Sequence, residues 1–420
     1  MHFKNGASFS SVDYTSYITF RDDLHMLAGQ WVYVDHVSTL AELGSYSVHR
    51  VCGESIILVR TESGIKGFFN FCRHRGSILC KEARGQRSRF VCPYHGWTYG
   101  LDGQLQDAHA LSNSAHHQTT LSLRQVGVHV YQGLIFVALT PHLRNPFATL
   151  ERTLDPLLPW HGLEHAKVAS RRSYPTAANW KLVVENFLEC FHCFSNHPEL
   201  CSVYSHPKLT ATMDPALGSE FLRETAEWER DARMLGHPTG GTSTLDSAAP
   251  QFCVAFRMPI RRGASSLSPN GEPLAPLMGN FREFDGGETF GFVGPLLHFS
   301  LANDHAMLIR IDPTDVLNTA IELVWLVHRD AVEGRDFDLE RLIWLWDATV
   351  KQDRSAVELA QAGACSQYYV PGPYTDLETE SSRFANWYRR ERERLNYEKQ
   401  SAFPVDPKDC GGAKLGEGCA

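Results

Sequence analysis

A chain of 420 residues with 43% hydrophobic and 21% charged side chains has the balance of a globular protein, long enough for two or three domains of about 100–200 residues each. Its formal net charge of −8 has the wrong sign for general nucleic-acid binding, which calls for a basic surface. No apolar run approaches the roughly 20 residues of a bilayer crossing, and the opening MHFKNGASFSSVDY lacks the layout of a signal peptide, so a cytoplasmic location is expected. The eleven cysteines do not follow the pattern of a small secreted framework, which leaves metal ligation for some and inert buried thiols for the rest.

Residues 1–40 read as an N-terminal arm, with FRDDLHMLAGQWVYVDHV passing from helix to strand. From about Tyr46 to Leu139, short runs such as SYSVHRV, SIILVRT and GLIFVAL, divided by Gly, Asp and Asn turns, predict a small antiparallel β-domain over 41–142. NPFATLERTLDPLLPW marks the change to a second domain over 143–403. That domain is read as a helix through NWKLVVENFLECFHCF, an irregular stretch from about 205 to 250, four strands, and a long helix from about Asp336 to Ala362. The class is α+β, helices packed on one antiparallel sheet. The tail 404–420 has little to pack and reads as flexible; its Cys410 and Cys419 receive no role.

Within the β-domain, Cys72-Arg73-His74 and Cys92-Pro93-Tyr94-His95 give C-x-H-x17-C-x-x-H, two loops that each carry one thiolate and one imidazole. Zinc accepts the same four ligands, so a zinc-stabilised binding module is an alternative. A two-iron cluster with thiolates on one iron and imidazoles on the other needs one of each from both loops. Gly76 and Gly96 are expected to let backbone amides approach the cluster sulfides. On these residues, and the Gly-Trp that follows His95, the segment resembles the Rieske [2Fe-2S] domain of the Rieske non-heme iron oxygenases. That resemblance implies that Cys72 and Cys92 hold one iron, and His74 and His95 the other. Cys80 has no place in the pattern and reads as a small core residue.

In ECFHCFSNHP, a helix from Trp180 would place Glu185, Glu189 and His192 on one face. His197 precedes Pro198, which loosens the helix and lets it share a metal with His192. A carboxylate should complete the set. On the long helix, Leu342, Trp346, Thr349, Asp353, Val357 and Ala360 form one inward stripe, whereas Asp347 and Glu358 fall off it. Asp353 is thus buried and in need of a cation, which either an arginine in a buried salt bridge or a metal held with His192 and His197 (iron, zinc or copper) would supply; two histidines with one carboxylate form the facial triad of ferrous, oxygen-activating sites. Cys190 and Cys193 lie on other faces and read as structural.

The resemblance extends through D/E-x-x-H-x4-H and the closing YVPGPY, and is nearest in motifs to the oxygenases of carnitine, glycine betaine and related quaternary amines. It implies a helix-grip catalytic domain, a curved antiparallel sheet over a long helix, and a head-to-tail homotrimer. Electrons would come from a separate reductase or ferredoxin, with NAD(P)H involved only through it. They would cross between subunits by way of Glu189 and reach dioxygen at the Fe(II) site. Phe187, Phe194, Tyr204 and Phe292 are candidates for the substrate pocket, with Phe191, Phe290 and Phe299 nearby. An aromatic cage would suit a methylated ammonium; an aromatic ring or aromatic acid is the alternative substrate. Arg73, Arg75, Lys81, Arg84, Arg87 and Arg89 form a candidate docking face for an acidic electron donor, with a solvated loop as the other reading.

Overall fold

The computed structural model of the chain describes residues 6–109, 111, 120–141, 145–205, 215–244 and 251–402. The tail with Cys410 and Cys419, and the junction at 142–144, lie outside the described residues. Two helices open the chain, α1 (Ser11–Thr15) and α2 (Tyr17–Ala28), the second capped by Ser16, whose side chain accepts from the Thr19 amide.

The β-domain holds β1 (Val32–His36), β2 (Ser45–Val51), β3 (Glu54–Thr61), β4 (Gly64–Phe69), β5 (Arg84–Gln86), β6 (Phe90–Val91), β7 (Thr98–Tyr99), β8 (Leu105–Asp107), β9 (Gln125–Tyr131) and β10 (Leu134–Ala138). A seven-stranded sheet runs β1-β10-β9-β4-β3-β2-β5, and a three-stranded sheet runs β6-β7-β8. Val32–His36, assigned by sequence to the arm, is therefore an edge strand of this domain, paired antiparallel with β10. All five of its residues are buried, because it also faces the second domain. Asp35, fully buried, takes Arg84 Nη2 at 2.9 Å from β5 and Arg171 Nη2 at 2.5 Å from the other domain. The guanidinium groups and His49 outweigh its burial and hold its carboxyl far below the usual range.

The second domain contains α3 (Phe147–Leu154), β11 (Ala166–Thr176), α4 (Trp180–Phe187), α5 (Cys193–Asn196), α6 (Pro198–Val203), α7 (Pro215–Met234), β12 (Gly240–Ser243), β13 (Cys253–Pro259), β14 (Gly287–Val293), β15 (Leu297–Leu301), β16 (His305–Asp315), β17 (Asn318–His328), α8 (Leu339–Ala364) and α9 (Thr379–Ala402). Its sheet runs β11-β17-β16-β15-β14-β13-β12, every neighbour antiparallel. Alternate residues go to opposite faces. Met307, Ile309, Leu323 and Trp325 join a core with α4, α8 and α9. Leu308, Val324 and Leu326 join another with α3 and the β-domain residues Trp31, Tyr33 and Phe136.

Three readings change. The stretch expected to be irregular contains α7, whose exposed face pairs Glu229 with Arg233 at i,i+4, and glycine and proline at its borders masked it. Helix α9 follows the YVPGPY segment and had no sequence assignment. Helix α4 stops at Phe187, short of His192 and His197.

What fixes α4 is a fully buried ion pair. Its second residue, Lys181, meets Asp23 of α2, and Asp23 also accepts from Trp180 Nε1 at 3.1 Å and from Tyr388 Oη of α9 at 2.6 Å. The ammonium lies 5.1 Å and 5.2 Å from the Trp180 and Tyr388 ring centres. Removing one partner of such a pair strands the other. Lys181→Met should lower the free energy of unfolding by about 3–5 kcal/mol in urea denaturation. The double exchange Asp23→Asn with Lys181→Met should cost distinctly less, since it leaves no buried charge.

Candidate active site

Two loops of the β-domain present the Cys and His pairs as near copies. In the first, Cys72 N–H donates to Ser77 O at 2.8 Å and Gly76 N–H to Cys72 O at 3.0 Å. In the second, Cys92 N–H donates to Trp97 O and Gly96 N–H to Cys92 O at the same two distances. Each turns through a glycine of positive φ, +71° at Gly76 and +74° at Gly96, where a side chain would be strained. The two glycine amides close their own loops. The amide of His74 serves the Cys72 sulfur, and those of Tyr94 and His95 serve Cys92.

The Tyr99 hydroxyl accepts from Arg73 N–H at 3.0 Å, which leaves its own proton for Cys72 Sγ at 3.2 Å. Burial pushes the Cys72 thiol up; at Cys92 burial acts in the same sense, but the amides of Tyr94 and His95 outweigh it and bring the thiol down. Both cysteines are buried and face each other, while His74 and His95 are exposed with ring centres 4.7 Å apart. Trp97 stacks on His74 at 4.8 Å. Soft donors lie inside and imidazoles outside, so the residues fit a two-iron cluster with divided ligands. Cys80 packs in the same core, and burial pushes its thiol up to about 11.

The second site is assembled by a turn and a helix. After Leu188, the Glu189 carboxylate accepts the Phe191 amide and, at 3.3 Å, the His192 amide. Such local bonds compete with helix continuation, and a Cys190–Cys193 disulfide spans the same turn. Glu185, Glu189 and His192 therefore do not share a helix face; the last two stand on the turn, and the cysteines are joined rather than separately packed. His197 caps α5 at φ −125°, outside the α region, as a residue before proline should be. Helix α8 brings Asp353 from the opposite side, 3% exposed on its inward face; Gln361, not Ala360, continues that face.

Asp353 Oδ1 lies 3.1 Å from His192 Nε2 and 3.0 Å from His197 Nε2. His197 donates from Nδ1 to Gln352 Oε1 at 2.8 Å, and Gln352 donates to Glu199 at 2.6 Å, so the lone pair of Nε2 faces Asp353. That nitrogen is buried without hydrogen-bond geometry to any partner, although the carboxylate oxygen is within reach. His192 meets Glu189 Oε1 through Nδ1 at 2.5 Å, and Asn186 Nδ2 lies 3.1 Å from its Nε2.

Three acceptors thus converge on one point, which only a cation relieves. Two ligands about 2.1 Å from one ion and at right angles lie about 3.0 Å apart, so the separations fit adjacent positions of an octahedral ion. Burial opposes the charged form of His192, but Asp353 and Glu189 raise it to about 9, and the imidazoles hold Asp353 below the usual carboxylate range despite its own burial. Cys193 Sγ also lies within 4.8 Å of both histidines, but its bond to Cys190 removes it as a thiolate ligand.

Residues 163–393 match the family described as ring hydroxylating alpha subunit (catalytic domain), and residues 30–129 match the Rieske [2Fe-2S] domain. The chain belongs to the Rieske oxygenase alpha-subunit family. It is 32% identical over 89% of its length to the glycine betaine monooxygenase oxygenase subunit of Pseudomonas aeruginosa, covering 86% of that protein. The oxygenase subunit of the same name from Chromohalobacter salexigens is 34% identical over 86% of this chain and 80% of its own. A solved quaternary ammonium Rieske monooxygenase shares the fold, with a TM-score of 0.68 at 21% identity over 94% of this chain and 96% of that one.

As a Rieske oxygenase alpha subunit the protein is an O2-using oxidoreductase, and the zinc-stabilised binding module is set aside. No helix among the described residues is long and apolar enough to cross a membrane. Sequence reasoning missed Tyr99, Asn186, Gln352 and Glu199, which hydrogen-bond or orient the candidate ligands. Only Asn186 and Gln352 gave any hint, as polar neighbours of motif residues. The candidate pocket residues divide. Phe187 reaches His298 at 5.7 Å, Phe292 reaches it at 5.5 Å, and Tyr204 is buried. Phe194 and Phe191 are 49% and 43% exposed and line a surface cleft together with His192; Phe299 faces the other core. Of the basic residues near the cluster loops, Arg84 and Arg87 are engaged by Asp35 and Glu82.

Hydrogen bonds to cluster sulfur favour the reduced, more negative state. Tyr99→Phe should lower the cluster's reduction potential by roughly 40 mV, the one-electron equivalent of about 1 kcal/mol, in a spectroelectrochemical titration.

Proposed function

We propose that the chain is the terminal oxygenase of a cytoplasmic two-part system that hydroxylates or N-demethylates a small quaternary amine of the betaine or carnitine kind. In this reading Cys72, Cys92, His74 and His95 hold the [2Fe-2S] cluster, and His192, His197 and Asp353 hold Fe(II). A separate reductase or ferredoxin draws on NAD(P)H, and electrons pass between the subunits of a head-to-tail homotrimer by way of Glu189. The observation that carries it is identity of 32–34% along most of the chain with glycine betaine monooxygenase oxygenase subunits of two bacteria. The carnitine monooxygenase oxygenase subunit of Escherichia coli is 34% identical over a shorter stretch, 41% of this chain.

The sheet face towards the iron triad supports a cationic substrate. Cross-strand register aligns Phe292 with His298 and Phe290 with Ser300, and Glu288 continues the same face of β14. Glu288 is fully buried and accepts from Ser300 Oγ at 2.6 Å, and Tyr204 hydrogen-bonds it from the segment that follows His197. A carboxylate among aromatic rings attracts a methylated ammonium; a neutral aromatic ring gains nothing from it.

Bound ferrous iron would supply the activation of dioxygen. The chain's own residues set its conditions. Gln352 and Glu189 fix the two imidazoles with Nε2 towards the triad, and Asp353 supplies the negative charge. Glu189, 13% exposed, stands where a neighbouring subunit can approach, one hydrogen bond from His192. The apolar wall of Phe187 and Phe292 keeps water away from the reacting methyl group.

Two measurements test this. Oxygen uptake with a surrogate reductase should depend on a betaine or carnitine and release formaldehyde, because an N-hydroxymethyl product collapses to formaldehyde and the demethylated amine; uptake driven only by aromatic acids would refute the substrate class. Asp353→Ala should keep the cluster's visible absorbance, drop iron content to that of the cluster alone, and reduce turnover at least about 100-fold.

A further inference from the structure

Glu185 of α4 carries a charge problem that neither metal site explains. It sits beneath the metal-bearing turn, receives the Tyr14 hydroxyl at 2.7 Å from α1 and the Tyr374 hydroxyl from the segment before α9, and bonds no cation. Lys181 acts on it only from a distance, since that ammonium is committed to Asp23. Glu378 faces it with like charge, and Tyr369 adds a further phenol beside Tyr14.

These residues do not form a closed core. A cleft of about 340 Å³ is lined by Tyr14, Glu185, Asn186, Glu189, His192 and Tyr374, so one continuous cavity joins the Glu185 carboxyl to the imidazole of the triad and to its Glu189 partner. The cleft leads to the solvent side of the subunit, where Gly372 and Pro373 on its rim are exposed.

We propose that Glu185, held between Tyr14 and Tyr374, is a proton-relay residue that feeds the oxygen-reducing site along this cleft. This rests on the oxygenase reading above. Each turnover joins the substrate C–H, dioxygen, two electrons from the cluster and two protons into a hydroxylated product and one water. The electrons come from the reductase, and the protons need a path from solvent. Glu185 gives up its carboxyl proton into the cleft and is left as a carboxylate that both tyrosine hydroxyls stabilise. Solvent at the rim returns the proton before the next turnover. Burial raises this carboxyl to about 7 against the lowering influence of the two tyrosines and Lys181, so both protonation states are populated near neutrality, as a relay requires. The acid form is lost as pH rises through that value.

The test has two arms, both on the full-length trimer. In the first, the protonated-carboxyl C=O band is followed by infrared difference spectroscopy on iron-depleted protein between about pH 6 and 8. A band that fades as pH rises in wild type and is absent in Glu185→Gln supports the relay; a wild type without such a band refutes it. In the second, the cluster is reduced chemically, substrate is bound, and product per cluster is timed after mixing with oxygen. Wild-type rates should fall above about pH 7. Glu185→Gln should be about tenfold slower and lose that limb with cluster absorbance and iron content unchanged, and Glu185→Asp should restore it. Tyr374→Phe, which removes one donor to the carboxylate, should move the limb to higher pH. An unmoved pH profile in both Glu185→Gln and Tyr374→Phe would overturn the proposal, as would a rate loss that merely follows lowered thermal stability. Failure of the oxygenase reading is separately visible, since wild type itself would then make no product, whereas the infrared arm needs no turnover.

Discussion

A carboxylate on the buried face of a helix has to be answered by positive charge, and Asp353 sets that condition for the whole second domain. Helix α8 cannot turn Asp353 outward without exposing Leu342, Trp346 and Val357 along the same face. The answer must therefore be brought to it. Two neutral imidazoles cannot supply the charge, but they can hold an ion that does, and each is oriented by a second hydrogen bond on its far nitrogen. The cost of this arrangement is a segment that cannot be regular. The chain has to leave α4, present His192, make a short helix and present His197 before a proline allows α6 to begin. An irregular segment is tolerable next to a helix held as firmly as α4 is by the Asp23 and Lys181 pair, which ties it to the first helices and to α9 at once.

The cluster site solves a different problem with different means. Its loops are short, glycine-turned and nearly superimposable, and they put sulfur inward where amides and the Tyr99 hydroxyl can reach it. The imidazoles are left at the tip, where another protein surface can reach them. The triad is the reverse, with its ligands buried and only the Glu189 side of His192 near solvent. Two redox-capable sites with opposite exposure make sense if electrons enter at an exposed tip and end at a closed chamber. The ionic hub of Asp35 with Arg84 and Arg171 fixes the two domains of one chain to each other, so an exchange of electrons does not need the domains to move.

Periodicity and spacing were informative wherever the chemistry was local. C-x-H and C-x-x-H sit on single loops, and Asp353 sits on a regular helix whose apolar stripe identifies it, so these residues could be read directly. Glu189 and His192 were identified for a wrong reason, because a propensity argument extended α4 over a turn that the Glu189 carboxylate and the Cys190–Cys193 bond interrupt. Helix propensity has no access to a side chain capping the backbone two residues ahead. Phe194 was named for its aromatic ring alone, without a geometric argument, and on α5 it is half exposed. The tyrosine partners of Glu185 lie 171 and 189 residues away along the chain. No window of sequence holds that contact, and α9, which helps assemble it, is strongly charged and offers only a thin apolar stripe to be read.

The polar groups of the sheet face carry the argument one step further towards specificity. A fully buried Glu288 could have been replaced by an apolar residue at little cost if the pocket received a hydrocarbon, because burying a carboxylate is expensive even with Ser300 and Tyr204 as donors. His298, equally buried and lowered to about 4 by that burial, is neutral at physiological pH and so adds no competing positive charge to the same face. A face that, among the described residues, carries one carboxylate, no cation and several aromatic rings would favour, on the proposed reading, a positively charged guest. Tyr204 belongs to the segment that follows His197 and hydrogen-bonds Glu288, so in the proposed reading the cationic head and the metal would be positioned by one short piece of chain. On the proposed reading, a substrate anchored at Glu288 would be placed relative to the triad by a rigid link rather than by its own fit alone.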